Sequence, residues 1–452
     1  MSKLPTVAIV GRTNVGKSSL FNRVVGTQQA IVAQEEGTTR DPVVSRVTHG
    51  KHTFWLVDTA GLKSPEDEFE ATIQEQITEA AEAADVILVV VEADKYPDDE
   101  DRAVAKRALR SKKPVILVTN KIDRAGKLGE DEFRRLGIKT IIQTSAHHNL
   151  GIAKLLTAIF AHIPERHAEP DDDTLRIALI GRPNVGKSSL FNTLAGKQQA
   201  LVANKAGTTR DVGRIRVRYH GREIELLDTA GIRRNGKVEV GIEKFSVLRS
   251  IQAIEESDVA LLLMDVNELG VAIDQKLAGI IKEAGKGLVL VVTKWDAAEG
   301  KDAFTRDALA PQIAGNYEFV PWAPLIFTSA VTGQNVSKLF DLVTEIDERR
   351  RQKLKTTELN RMLRKAVETH PPAGFRQRQP KIRYITQTDE RPPYFSIFGS
   401  DLKFLHWGYR RYLERIFRET FDFNGTPIKL FFRDTKAEKE ATTHAAEKPK
   451  DS

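Results

Sequence analysis

Two nine-residue stretches carry the chemistry most readily read from this chain: GRTNVGKSS at Gly11 to Ser19 and GRPNVGKSS at Gly181 to Ser189. Each fits GxxxxGK[ST], each follows a short apolar run, and each opens a helix-like SLFN stretch, so the strand, loop, helix context that the motif needs is present twice. In Gly11-Arg12-Thr13-Asn14-Val15-Gly16-Lys17-Ser18 and Gly181-Arg182-Pro183-Asn184-Val185-Gly186-Lys187-Ser188, the glycines let backbone amides converge on phosphate oxygens, and the helix start adds partial positive charge. Lys17 and Lys187 are placed to meet the outer phosphates, and the hydroxyls of Ser18 and Ser188 to ligate magnesium.

A phosphate cradle does not name the base. Asn120-Lys121-Ile122-Asp123 does: it follows a buried β-type run, and an aspartate there accepts paired hydrogen bonds from N1 and the exocyclic amine of guanine, which adenine does not offer. The second copy reads Thr293-Lys294-Trp295-Asp296, with threonine where asparagine is usual; Asp296 keeps guanine specificity, and the threonine predicts altered affinity. Ser145-Ala146 and Ser329-Ala330 complete the base pocket by backbone contact. Asp58-Thr59-Ala60-Gly61-Leu62 and Asp228-Thr229-Ala230-Gly231-Ile232 end strands of their own. Their aspartates are placed to hold magnesium through water, and the amides of Gly61 and Gly231 to bond the γ-phosphate. Gly37 to Asp41 and Gly207 to Asp211, both GTTRD, suit a switch that orders on magnesium and γ-phosphate. Leu62 and Ile232 stand where Ras-like proteins use a water-orienting glutamine, so hydrolysis is predicted to be slow and to depend on a cation, another residue or a partner.

The elements that position these residues follow from an internal repeat. Gly11 to Asp41 and Gly181 to Asp211 are identical at 22 of 31 positions without a gap. The same offset of 170 relates the two DTAG segments, 173 relates Lys121 and Asp123 to Lys294 and Asp296, and 184 relates the two Ser-Ala pairs. Within each copy, apolar β-rich runs alternate with helical patterns, which predicts an α/β fold: a doubly wound, mostly parallel sheet with helices on both faces and the motifs at the C-terminal strand ends. The five runs are Thr6 to Val10, Phe54 to Val57, Val86 to Val91, Val115 to Thr119 and Thr140 to Gln143 in the first copy. In the second they are Arg176 to Ile180, Ile224 to Leu227, Val259 to Asp265, Leu288 to Thr293 and Leu325 to Thr328.

After the second copy the pattern changes. Thr357 to Thr369 reads as a helix, Lys381 to Thr388 and Tyr394 to Phe398 as strands, Leu402 to Phe421 as one long amphipathic helix and Ile428 to Arg433 as a strand, a small α+β unit. The division is therefore 1–165, an acidic linker at 166–174, 175–350, 351–435 and a disordered tail at 436–452. From Arg351 to Glu440 there are 20 basic against 11 acidic residues, net +9, whereas residues 1–350 carry 47 against 49. A basic excess confined to one unit points to an anionic partner for that unit, most often nucleic acid. Tyr394, Tyr409, Arg410, Arg411 and Tyr412 are candidates to stack on RNA, with half of them expected in the core at their helical spacing. The chain has no cysteine, which excludes disulfides, thiolate metal sites and a cysteine nucleophile. The start lacks a charged-then-apolar leader and no apolar run approaches about 18 residues, which reads as a cytoplasmic protein without a membrane span, and a monomer.

On the stretches GRPNVGKSSLFN, GTTRD, DTAG, THPP, GYRRYLERIF and GTPIKLFFR, the sequence resembles the Der (also called EngA) family of bacterial double GTPases that act in assembly of the large ribosomal subunit. The resemblance covers almost the entire chain. It implies two GTPase domains followed by a KH-like RNA-binding domain, GTP hydrolysis to GDP with magnesium, and the large subunit, its precursor or ribosomal RNA as partner. It also implies potassium activation through the phosphate-loop asparagines, here Asn14 and Asn184, and magnesium binding by the switch threonines Thr39 and Thr209. The basic unit lacks the GxxG loop of ordinary KH domains. Two rivals are a tRNA-modification GTPase, against which the duplication and missing C-terminal cysteine speak, and a nucleotide-gated scaffold with one non-hydrolysing domain.

Overall fold

The computed structural model describes residues 4–26, 44–50, 52–59, 83–124, 126, 128–163, 174–197, 214–228, 247–298, 305–373 and 379–434. The first copy contributes β1 (Thr6–Val10), α1 (Lys17–Gly26), β2 (Val44–His49), β3 (His52–Asp58), β4 (Val86–Glu92), α2 (Asp99–Arg110), β5 (Val115–Asn120), α3 (Glu130–Arg134), β6 (Thr140–Gln143) and α4 (Ile152–Phe160). The second contributes β7 (Leu175–Ile180), α5 (Lys187–Lys197), β8 (Arg214–Tyr219), β9 (Arg222–Asp228), α6 (Val247–Glu256), β10 (Val259–Asp265), α7 (Ala272–Ala284), β11 (Gly287–Thr293), α8 (Thr305–Asn316), β12 (Leu325–Phe327) and α9 (Lys338–Arg351). The proposed linker and tail lie almost entirely outside the described residues.

The sheets are six-stranded and share one topology, β2-β3-β1-β4-β5-β6 and β8-β9-β7-β10-β11-β12. Five strands of each run parallel and one edge strand pairs antiparallel, β2 on β3 and β8 on β9. β1, β4 and β11 are buried along their whole length, because helices cover both faces of the sheet and a strand buried on both faces must be apolar throughout. The antiparallel edge strands β2 and β8 escape the sequence reading, whereas the parallel edges β6 and β12 do not: in RIRVRY of β8 arginine occupies alternate positions, the pattern of a half-exposed edge. In each sheet the phosphate loop follows the first strand, β1 or β7, at the point where strand order reverses, which is where doubly wound sheets bind ligands.

The remaining unit holds α10 (Thr356–Thr369), β13 (Lys381–Glu390), β14 (Pro393–Ser400), α11 (Trp407–Thr420) and β15 (Lys429–Asp434), with β14 antiparallel to β13 and parallel to β15. Both helices pack on one sheet face through Leu359, Leu363, Leu413 and Phe417 against Ile385, Phe395 and Ile397. The single helix predicted over Leu402 to Phe421 is instead a short turn, Leu402–Phe404, followed by α11. The break comes at His406, which takes an extended conformation and accepts from Gly408 N at 3.1 Å, capping a new helix start.

The units are packed together. Trp55 of β3 is fully buried in an apolar cluster with Leu248 and Ile251 of α6, and its indole N–H donates to Glu255 Oε1 at 2.5 Å. Between β11 and the basic unit, Leu288 N donates to Gly425 O at 2.9 Å and Gly425 N to Trp322 O at 2.7 Å.

Candidate nucleotide sites

The same backbone is built twice. Gly11 and Gly181 take φ of +151° and +154°, and a Cβ on either would lie 2.5 Å from Val90 O or 2.6 Å from Leu263 O, so only glycine lets the loop pass the neighbouring strand. Asn14 and Asn184, exposed at the loop tip, sit at φ 64° and 62°, in the left-handed region that asparagine tolerates better than most residues. Lys17 folds back over the loop and donates to Gly11 O at 2.8 Å and Arg12 O at 2.6 Å; Lys187 donates to Arg182 O at 2.6 Å. Burial lowers the Lys17 pKa, while Asp58 and Glu100 pull it back up.

Asp58 ends β3 in register with Ile9, and Asp228 ends β9 in register with Leu179, so each acid stands beside its phosphate loop. Ser18 Oγ donates to Asp58 Oδ2 at 2.5 Å. A serine hydroxyl and a carboxylate side by side are hard oxygen donors and fit magnesium, which is typically held by one or two carboxylates together with substrate phosphates. No cluster of three or more His, Cys, Asp or Glu able to cage a metal exists among the described residues. Thr59 pins the same turn by donating to Ile9 O at 2.7 Å. Thr39, Ala60, Gly61, Leu62, Thr209, Thr229, Ala230, Gly231, Ile232 and the Asp228 side chain lie outside the described residues.

At the base end, Lys121 takes φ 68° and donates to Asn14 O at 2.6 Å, tying this loop to the phosphate loop. It also bonds buried Glu92; burial alone would raise that carboxyl, but hydrogen bonds from Lys121 and Lys95 hold it down to about 2. Lys294 repeats the arrangement with Asp265 at 2.6 Å. Asp123 is exposed, and a hydrogen bond from the Ser145 hydroxyl keeps its carboxyl below the ordinary value, ionised and ready to accept two donors. In the second copy a cleft of about 220 Å³ is lined by Gly186, Thr293, Lys294, Asp296 and Ala330 among others, which brings together the GKSS loop, the Lys294–Asp296 segment and the Ser-Ala loop.

The carboxylates that hold the two loop arginines escaped the sequence reading. Arg12 is held by Glu92 at 2.9 Å, Asp98 at 3.3 Å and Asp101 at 3.4 Å, and Arg182 by Glu268 at 2.8 Å and Asp274 at 3.1 Å. Burial pushes both Asp101 and Asp274 up to about 6. Glu92 with Asp265 and Asp101 with Asp274 stand at the offset of 173 already seen in the base-reading motif, so the repeat held the signal.

Comparison with known proteins bears on this duplicated geometry. The family described as 50S ribosome-binding GTPase matches residues 6–121 and 176–294, and the KH-domain-like family of EngA bacterial GTPase enzymes, C-terminal, matches residues 353–433. GTPase Der of Desulfitobacterium hafniense is 42% identical over 443 residues, covering 97% of this chain and 100% of that protein. The chain belongs to the Der family of GTPases. GTPase Der of Chloroflexus aggregans is 42% identical over 446 residues, 96% of this chain and 99% of that one, and GTPase Der of Herpetosiphon aurantiacus 41% over 444 residues, 96% and 97%. As a Der-family protein the chain is a GTPase with two tandem GTPase domains and a C-terminal KH-like domain, as the two six-stranded sheets and the small sheet bear out. No described helix is long and apolar enough to cross a membrane.

Proposed function

We propose that both domains hydrolyse GTP with magnesium, that potassium stimulates the reaction, and that the protein works in assembly of the large ribosomal subunit, its KH-like unit binding ribosomal RNA. The observation that carries the catalytic part is the paired geometry at the phosphate loop, with Ser18 Oγ 2.5 Å from Asp58 Oδ2 and Lys17 poised on loop carbonyls that substrate phosphates would replace. Magnesium would be held by Ser18, Thr39 and Asp58 and by Ser188, Thr209 and Asp228, and supplies charge neutralisation on the outer phosphates. Lys17 and Lys187 bind and orient those phosphates, Gly61 and Gly231 donate backbone N–H groups to the terminal one, and Asp123 and Asp296 read the base. Leu62 and Ile232 have no group to orient water, which leaves the charge between the phosphates to a monovalent cation beside the exposed amides of Asn14 and Asn184.

The RNA reading rests on the basic unit. Its sheet face opposite α10 and α11 carries Tyr384 stacked on Phe398 at 4.6 Å and 11°, Tyr394 against Phe431 at 5.4 Å, and Arg433 in register beside Phe398, with α7 meeting this face at Lys429, which donates to Glu283 O at 3.0 Å. Tyr384 and Trp407 are each 43% exposed, and Arg411 lies 5.0 Å over the Trp407 ring. Planar exposed rings among cations suit unpaired bases and phosphates. Of the stacking candidates read from sequence, Tyr409 is buried and donates to His370 O at 2.6 Å and Tyr412 donates to Ala366 O at 3.0 Å, so those two serve the core. The catalytic proposal is tested by GTP turnover in potassium and in sodium. Turnover is expected to be faster in potassium and to lose that preference in an Asn14→Ala, Asn184→Ala double variant that still binds GDP; equal rates in the two salts for the unaltered protein would refute the cation's role.

A further inference from the structure

The two copies hold the loop over the base pocket by different means. In the first, Asn120 Nδ2 donates to Val15 O at 3.1 Å, and its Oδ1 accepts from the Ala146 amide and the Thr144 hydroxyl, each at 3.2 Å. Arg23 on α1 reaches the same loop, Nε to Ala146 O at 2.6 Å and a terminal nitrogen to His147 O at 2.9 Å. The Ser-Ala loop is thereby tied to the strand end and to α1, and through Asn120 to the phosphate loop.

In the second copy the repeat places Thr193 and Thr293 at these two positions. Thr293 Oγ1 lies 2.6 Å from Val185 O and 3.0 Å from Met264 O; a hydroxyl has one proton, so it keeps the bond to the phosphate loop, and among the described residues it makes none to Ala330. Thr193 Oγ1 lies 2.9 Å from Ser189 O on its own helix and 3.3 Å from Ala330 O, so its one proton favours the helix, whereas Arg23 gives the loop two charged bonds. The shorter side chain also leaves space. A Cβ at Gly16 would lie 2.4 Å from Asn120 Nδ2, whereas at Gly186 the nearest atom of Thr293 is 3.9 Å away, beside the cleft of about 220 Å³.

We infer that Thr293 and Thr193 make the second domain the fast-exchanging guanine-nucleotide site, while Asn120 and Arg23 make the first the slow one. This rests on the reading that both pockets hold guanine. Release from a pocket closed by the Ser-Ala loop requires that loop to part from the strand end and from the first helix, and the first domain must break more and stronger bonds to do so. These are positioning residues, acting through the loop and expected to change release far more than association. The expected difference is roughly tenfold to a hundredfold in dissociation rate, tenfold being about 1.4 kcal/mol.

The full chain is loaded with a fluorescent GDP in magnesium and chased with unlabelled GDP, with bound nucleotide counted by equilibrium dialysis. Two equivalents should leave in two phases of equal amplitude, the rates differing by tenfold or more. A Thr193→Arg, Thr293→Asn double variant should slow the fast phase alone, and Arg23→Thr should speed the slow phase alone while leaving the association rates within about twofold. A single phase for two bound equivalents, or a fast phase unchanged by the double variant in protein with unaltered circular dichroism, overturns the inference. Fewer than two equivalents bound to the unaltered protein overturns the two-site reading beneath it, and is told apart by the dialysis count.

Discussion

Replacing Trp55 by Phe tests how firmly the two GTPase domains are joined. The indole is fully buried, and Glu255, which accepts its N–H at 2.5 Å, is only 8% exposed. Phenylalanine keeps a ring in place but brings no donor, so the carboxylate loses a hydrogen bond without gaining water. A hydrogen bond to a charged group contributes about 1.5–3 kcal/mol, and the missing part of the indole adds about 1 kcal/mol as unfilled volume. The contact should weaken by roughly 3 kcal/mol, about a hundredfold in the docking equilibrium. Glu255→Gln keeps an acceptor and should be milder, about 1 kcal/mol; in the Trp55→Phe background it should add almost nothing, because the partners share one interaction. Thermal unfolding of a three-unit chain gives no single free energy, so the readout is native-state hydrogen exchange of α6, residues Val247–Glu256. Trp55→Phe should speed exchange on the α6 face turned to the first domain while leaving β10 and β11 protected. Unchanged exchange in a correctly folded variant would refute the reasoning and leave the joint to apolar packing and to the bond that Gln252 Nε2 donates to Ala83 O.

Asp123→Asn and Asp296→Asn should each shift one site from guanosine toward xanthosine nucleotides, whose exocyclic oxygen suits an amide donor; ATP competing equally with GTP at both unaltered sites would refute the base assignment. Lys286, which donates to Glu255 O at 2.7 Å and Ser257 O at 2.6 Å, is pulled from 10.5 down to about 8 by burial, against the opposing pull of Glu255. The folded chain therefore binds fewer protons than the unfolded chain between those values, so this group's contribution is present above pH 10.5 and lost as pH falls through 8, at most about 3 kcal/mol. Native-state hydrogen exchange of α6 at pH 7.5 and 9.5, corrected for the intrinsic rate, should show a gain in protection that Lys286→Met reduces, the remainder belonging to Lys429, which burial also brings down to about 8; an equal gain in the variant would place its origin elsewhere.

The phosphate-loop motifs and five strands of each sheet were legible because the chain states them twice, so each copy checks the other. Edge strands β2 and β8 were not: alternate arginines in Arg214–Tyr219 mask the apolar half of the pattern in β8, and VSRVTH of β2 buries only Val44 and Val47. The contact of Trp55 with Glu255 spans 200 residues, and a tryptophan on a buried strand reads the same in sequence whether its own domain or a neighbour covers it. The helix expected from Leu402 onward failed because its apolar spacing runs on through His406, while the cap that interrupts it depends on one local conformation. Arg23 and Thr193 gave no signal as single residues on a helix; only the structure shows that they reach the Ser-Ala loops.

Action on the large ribosomal subunit is the central claim, and sedimentation tests it most directly. The full chain and a form ending at Gln352 are spun with purified large subunits in GDP and in a non-hydrolysable GTP analogue, at two salt concentrations. The full chain should pellet with subunits, more in one nucleotide state than in the other, and lose association steeply as salt rises, because cationic side chains displace counterions from phosphates. The shortened form should bind GDP but stay in the supernatant. Pelleting of the shortened form to the same extent and regardless of nucleotide would contradict the account.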